Sequence, residues 1–216
     1  MKVRPFVFNK MNVNSFVVWN EADGASLLID PGCVTEAEQA ELDAFLKDNG
    51  LRPLAVLATH PHFDHIAGAD RFCRQYGIEC HICELDLNLS GMQDEMSHLY
   101  DFKFEGNAAP TRYFAPERQE LRFGSITVDV LPLSGHTLGS VAYHFAEAKA
   151  VFVGDTIVKG TLGLQETGFR QTLQRIHDYL LPLPDDTRVF PGHGDFSTIG
   201  EERVGNRFFR RSATLD

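Results

Sequence analysis

A chain of 216 residues is long enough for one sizeable core, and 43% hydrophobic with 23% charged residues is an ordinary balance for a soluble globular protein. A formal net charge of −10 excludes a general nucleic-acid binder, which needs a basic face. No apolar run reaches a membrane-spanning length, the start MKVRPFVFNK does not read as a signal peptide, and the sparse Cys33, Cys73, Cys80 and Cys83 read as reduced thiols of a cytoplasmic protein.

The N-terminal third reads as strands: KVRPFVFN, VNSFVVWN and ASLLID, the last two separated by a turn containing Asp23-Gly24. TEAEQAELDAFLKDNG predicts a helix with Thr35 and Glu38 as a capping box and Gly50 as its end. LAVLATH predicts a buried strand, and residues 65–76 a helix with Ile66, Ala69, Phe72, Cys73 and Tyr76 on one side. After the strand IECHICE, Leu85, Leu89, Met92, Met96 and Leu99 recur at helical spacing, and a polar loop is expected from Glu105 to about Glu117. The pattern then restarts. ELRFGSITVDVLPLSG, SVAYHF and KAVFVGD read as strands, and GFRQTLQRIHDYLLP as a helix with Phe169, Leu173, Ile176 and Leu180 on one stripe. TRVFPGHG reads as a short strand running into a loop, and Thr198 and Glu201 cap a last helix. Strands followed by helix, twice over and with no linker, predict a single α+β domain built as a four-layer αββα sandwich spanning 1–216.

The stretch ATHPHFDHIAGA crowds His60, His62, Asp64 and His65 together after an apolar run. Neighbouring imidazoles repel when protonated and need partners when buried, and a metal answers both problems. Three more donors, His136 in LSGHTLGS, Asp155 in VFVGDT and His193 in FPGHGD, stand beside glycines at strand ends, where they project from one edge of a sandwich. Seven ligands exceed one tetrahedral zinc and suit two metals about 3.5–4 Å apart that share a carboxylate. His60 and His62, two apart on an extended stretch, face one way, whereas Asp64 and His65 stand where the chain turns into a helix and reach a second ion.

The H-x-H-x-D-H run followed by His, Asp and His in that order resembles the metallo-β-lactamase superfamily over nearly the whole chain. The resemblance implies that His60, His62 and His136 hold a first metal, that Asp64, His65 and His193 hold a second, and that Asp155 bridges them. Two divalent ions are expected, zinc favoured by the mixed imidazole and carboxylate donors, with iron or manganese as alternatives. Asp30 in LLIDPG either orients a ligand histidine, as the resemblance implies, or simply forms the turn before Pro31-Gly32.

Other signals are weaker. Cys80-x-x-Cys83 lacks a second pair, and residues three apart on a strand face opposite sides. His98, His144 and His177 read as ordinary residues, and Tyr100, Phe102, Phe104, Tyr113 and Phe114 either close the core or wall a pocket, the core being favoured. No G-x-S-x-G elbow or P-loop competes with the metals.

Asp64 and Asp155, the two catalytic carboxylates, leave a dinuclear core electropositive, so that it lowers the pKa of water and stabilises an oxyanion. A small thioester is the favoured substrate, because its thiol leaves without strong acid assistance. A carboxylate at Asp155, where β-lactamases place a cysteine or serine ligand, disfavours that activity, and His62 stands where the diiron flavoproteins carry glutamate. GDTIVKGTLG and PGHGDFSTIGEER resemble the short glyoxalase II-like (hydroxyacylglutathione hydrolase-like) members. Those usually continue through a glycine-arginine pair. Here Leu164 follows Gly163, leaving Lys159 as the cation offered to a substrate carboxylate. The expectation is therefore a dinuclear hydrolase of a small-molecule acyl compound, with no strong preference for glutathione. A mononuclear-iron enzyme like the persulfide dioxygenases and a non-catalytic metal-stabilised module are the alternatives.

Overall fold

The structure is a computed structural model that describes residues 1–104, 109, 111–166 and 168–209. Two six-stranded sheets lie face to face. The first contains, in spatial order, β1 (Lys2–Phe8), β2 (Val13–Trp19), β3 (Ala25–Ile29), β4 (Arg52–Leu57), β5 (Cys80–Cys83) and β6 (Thr111–Phe114). β1 to β3 form an antiparallel meander, and β3 to β6 run parallel. The second sheet carries β7 (Gln119–Phe123), β8 (Ile126–Pro132), β9 (Val141–Phe145) and β10 (Ala150–Gly154) as an antiparallel run. A small hairpin of β11 (Ile157–Val158) and β12 (Thr161–Leu162) follows, and β13 (Arg188–Pro191) joins the sheet parallel to β10, with β14 (Ser197–Thr198) at its edge.

Period-two alternation divides the apolar residues among three layers. Phe16, Val18, Leu27, Ile29, Ala55 and Leu57 face Ile126, Val128, Tyr143 and Phe152 between the sheets. The opposite face of the first sheet, including Val17, Leu28 and Val56, receives Leu42 and Leu46 of α1 (Glu36–Asp48). It also receives Ile66 of α2 (Phe63–Ile66) and Phe72 of α3 (Ala69–Tyr76). On the far side, Val151 and Val153 pack with Ile176 of α6 (Phe169–Tyr179) and Ile199 of α7 (Ile199–Gly205). This is the expected αββα sandwich. The crossovers β3–α1–β4 and β10–α6–β13 place the ends of β4, β10 and β13 on one edge. Both capping boxes form, Thr35 with Glu38 and Thr198 with Glu201.

Three expectations need correction. The helix expected over 65–76 is two helices, because the chain is held at Gly68: its N–H donates to the Pro31 carbonyl at 2.7 Å, and a Cβ there would lie 2.5 Å from Cys33 Sγ. The helical spacing of Leu85, Leu89, Met92, Met96 and Leu99 is broken into short pieces, with Leu89 and Met96 half-buried and Leu85, Met92 and Leu99 outside. Those three are exposed on the short helices α4 (Leu87–Gly91) and α5 (Gln93–Leu99) and the turn before them, while Asp86, Gln93 and Ser97 are buried. The loop expected over 105–117 contains β6, which adds to the edge of the first sheet and pairs with β5; residues 105–108 and 110 lie outside the described residues. Of the aromatic residues around it, Phe102, Phe104 and Phe114 are buried, and Tyr100 and Tyr113 are exposed.

Candidate metal centre

All seven expected donors meet at the edge where β4, β8, β10 and β13 end. His60 and His62 leave β4 on an extended segment, and Asp64 and His65 belong to the first turn of α2. His136 stands in the β8–β9 loop, Asp155 directly follows β10, and His193 follows β13. The donor atoms of His60, His62 and His136 lie within 4.8 Å of one another, as do those of Asp64, His65 and His193, and those of His60, His65 and Asp155. The rings of the first trio form a near-equilateral triangle, with centroids 4.6 Å apart for His60–His62 and 4.7 Å for His60–His136 and His62–His136. His136 Nε2 and His62 Nδ1 approach to 2.9 Å. In the second trio, His193 Nε2 is 3.3 Å and His65 Nε2 3.8 Å from Asp64 Oδ2.

Asp155 stands between the trios. Its Oδ2 is 3.8 Å from His136 Nε2 and 3.5 Å from His193 Nε2, and its Oδ1 is 3.4 Å from His65 Nε2. Nε2 of His60, His62 and His65 and Oδ1 of Asp155 are buried without a hydrogen-bond partner. Buried polar atoms left unpaired are costly, and several of them converging on one point fit a bound cation. Burial first, then the neighbouring imidazoles, pushes His60 far down and His62 to about 4, so both stay neutral and keep a lone pair to donate. At His65 and His193 burial works the same way, but the carboxylates of Asp64 and Asp155 outweigh it and push both rings up. The same pairing holds Asp64 and Asp155 ionised against their burial.

A second layer orients the rings. Asp30 Oδ2 lies 3.1 Å from His65 Nδ1, Thr59 Oγ1 3.1 Å from His60 Nδ1, and the Leu164 carbonyl 2.9 Å from His136 Nδ1. Fixing one ring nitrogen aims the other. The orienting geometry left open for Asp30 is therefore present. Gly192 is needed for lack of a side chain: a Cβ there would stand 2.1 Å from Asp155 Oδ1 and 2.5 Å from His65 Cε1.

Sequence reasoning missed four residues that hold these loops. Asn14 of β2 donates from Nδ2 to the Pro191 and Gly194 carbonyls at 3.0 Å each, and its N–H donates to the Gly192 carbonyl at 2.7 Å, tying the His193 loop to the other sheet. Asn9 Nδ2 donates to the Asp64 carbonyl at 3.0 Å. Gln93 Oε1 accepts the Phe63 N–H at 2.7 Å, capping α2. Asp86 accepts from Thr137 Oγ1 at 2.6 Å and from the Gly139 N–H at 2.8 Å, clamping the loop that carries His136. No local pattern marks them, since each acts on a segment remote in sequence.

The remaining candidates do not join the cluster. Lys159 is exposed on the turn of the β11–β12 hairpin, beside Gly160, whose N–H donates to Glu202. Cys80 and Cys83 are free thiols buried on opposite faces of the first sheet. His98 and His177 are exposed, and His144 lies 3.5 Å from Asp129.

The profile of the Metallo-beta-lactamase superfamily matches residues 9–193, the span from Asn9 to the last of the seven expected donors. The chain belongs to the metallo-β-lactamase superfamily. Among its relatives, the "Probable metallo-hydrolase YqgX" of Bacillus subtilis is 31% identical over 219 residues, covering 96% of this chain and 97% of that one. The "Hydroxyacylglutathione hydrolase GloC" of Haemophilus influenzae is 32% identical over 204 residues, covering 90% and 92%. Among solved structures, BLEG-1, described as a B3 metallo-beta-lactamase, superposes with a TM-score of 0.85 at 29% identity, covering 96% and 99%. TTHA1623 in a di-iron-bound form superposes with a TM-score of 0.82 at 31% identity, covering 95% and 99%. The protein is thus a metallo-hydrolase-like member of a superfamily whose fold binds divalent metals, and its clustered His and Asp residues could hold such ions. Among the described residues no helix is long and apolar enough to cross a membrane.

Proposed function

We propose that this superfamily member is a dinuclear metal-dependent hydrolase of a small thioester or related acyl compound, acting in the cytoplasm as one domain. The observation that carries the reading is Asp155, whose carboxylate faces both donor trios at once. His60, His62 and His136 would hold one ion, Asp64, His65 and His193 the other, and Asp155 both. Two divalent ions in such a site supply a Lewis acid and hydroxide at neutral pH.

The chain's own residues set the conditions for that chemistry. Asp64 and Asp155 stay ionised and would neutralise part of the charge of two bound ions without cancelling it. Asp30 and Thr59, with the Leu164 carbonyl, hold the imidazoles so that little reorganisation accompanies reaction. No side chain is needed as nucleophile, and a thiolate leaves without a strong acid. Lys159 is the side chain offered to a substrate carboxylate, and with Leu164 in place of an arginine a glutathione ester is expected to turn over modestly, limited by KM.

Zinc is the proposed metal, on its fit to imidazole and carboxylate donors. The di-iron form of TTHA1623 favours iron as the second reading. Elemental analysis of the purified protein, followed by a panel of S-lactoylglutathione, neutral thioesters and a chromogenic cephalosporin, tests the proposal. About two zinc ions and thioester turnover are expected. One tightly bound iron with no second fillable site would point to dioxygenase chemistry instead. Turnover confined to the cephalosporin would point to the activity named for BLEG-1. Two metals with no turnover on any substrate would favour a binding module.

A further inference from the structure

Exposed leucines are unremarkable when scattered, but four of them here lie on segments that carry His136 or are hydrogen-bonded to its loop. Leu164 is 85% exposed, Leu138 61%, Leu87 52% and Leu85 48%. Hydrogen bonds tie the three segments that carry them. The Leu164 carbonyl accepts from His136 Nδ1, and the next residue but one, Glu166, donates its N–H to the Gly135 carbonyl at 3.0 Å. Asp86 holds Thr137 and Gly139, the two neighbours of Leu138, and Leu85 and Leu87 stand on either side of Asp86. Each leucine therefore sits within a few residues of a contact to the His136 loop, two of them on segments bonded to His136 or carrying it.

The charges of these segments point the same way. Residues 84–88, 134–138 and 163–166 contain Glu84, Asp86 and Glu166 and no lysine or arginine. Glu84 and Glu166 are exposed. An anionic group approaching these segments meets repulsion and no bidentate donor, whereas an alkyl group meets exposed leucine side chains.

We infer that Leu85, Leu87, Leu138 and Leu164 form an apolar lip beside His136 that receives the neutral alkyl chain of the substrate's acyl group, so that the substrate class is a medium-chain acyl compound and not a short, charged one. The occupant rests on the hydrolase reading above; the lip itself is a property of the surface. Full burial of a methylene is worth about fourfold in affinity, and a lip open to water on one side should realise about half of that in free energy, or about twofold per methylene.

The test uses the zinc-loaded protein and two series. Acetate, butyrate, hexanoate and octanoate are titrated calorimetrically, which reads binding without turnover, and the matching N-acetylcysteamine thioesters, which carry an uncharged thiol, are assayed for kcat/KM. Kd for the carboxylates should fall about twofold per methylene, and Leu138→Ser and Leu164→Ser should each flatten that slope. Both side chains are exposed, so the fold should tolerate the change; Leu87→Ser provides an independent site if either variant proves unstable. A flat series in the unaltered protein, or a slope that survives all three substitutions, overturns the lip. The two readings separate cleanly. Thioester hydrolysis without chain dependence in either series leaves the hydrolase standing and removes the lip. A leucine-dependent slope in carboxylate binding with no thioester turned over establishes the lip and removes the hydrolase.

Discussion

Asp30 and His65 are joined through a buried contact of 3.1 Å between Oδ2 and Nδ1, and the same carboxylate accepts the Thr59 N–H and hydroxyl at 2.7 Å each. Thr59 in turn touches the His60 ring, so one side chain orients imidazoles proposed for two different ions. Asp30 occupies the left-handed region at φ 46°, which asparagine also tolerates. Asp30→Asn should therefore keep the backbone and lose the orienting charge. Zinc affinity, measured by competition with a chromogenic chelator, should fall about 10- to 100-fold with the far-UV circular dichroism unchanged. An unchanged affinity would reduce Asp30 to a turn residue.

Asp155→Ala removes the carboxylate that faces both trios, and His193→Ala removes a donor from one. Elemental analysis should find both ions weakened and turnover at background in the first variant, but about one retained ion in the second. Two tightly held metals and near-normal hydrolysis in Asp155→Ala would show that the carboxylate does not bridge.

Gly192→Ala places a methyl group onto Asp155 Oδ1 and the His65 ring, at 2.1 and 2.5 Å. Neither neighbour is the free end of a flexible chain, because Asp155 and His65 are packed against each other. The variant should lose about 1–3 kcal/mol of stability by overpacking and a larger share of its metal, read from the denaturant midpoint and the zinc content. Wild-type zinc content would mean that the loop shifts at no cost to the site.

His81 lies away from the metal cluster, buried edge-on against Phe123, and burial pushes its pKa down to about 4. The unfolded chain takes up this proton near the ordinary histidine value, the folded chain only near 4. Stability is therefore fully present above about pH 6.5 and declines as pH falls from there through about 4. The metal ligands titrate over part of the same range, so the useful quantity is the difference between the unaltered protein and His81→Gln. That difference should move in favour of the variant by about 2–3 kcal/mol between pH 7 and pH 4 in urea titrations. A constant difference would mean that His81 reaches water in the fold.

The order and identity of the seven residues that cluster, both capping boxes and the alternation that sorts apolar residues among the layers are legible in the sequence before any folding. Those are local facts: a ligand at the end of an apolar strand, a Thr three residues before a Glu, a period of two. The sequence could not say which face of an amphipathic segment would be covered. Spacing placed Leu85, Met92 and Leu99 on one stripe, yet the fold draws Asp86 and Gln93 inward, because the loop of His136 and the first turn of α2 need those hydrogen bonds, and it leaves that stripe's Leu85, Met92 and Leu99 outside. Nor could it show that Asn14 secures the His193 loop across 177 positions, or that Gly192 must leave room for Asp155. Hydrophobic period reports how a segment could bury itself. Which polar atoms are left without water, and which residue must then satisfy them, is decided only when distant segments meet in the folded chain.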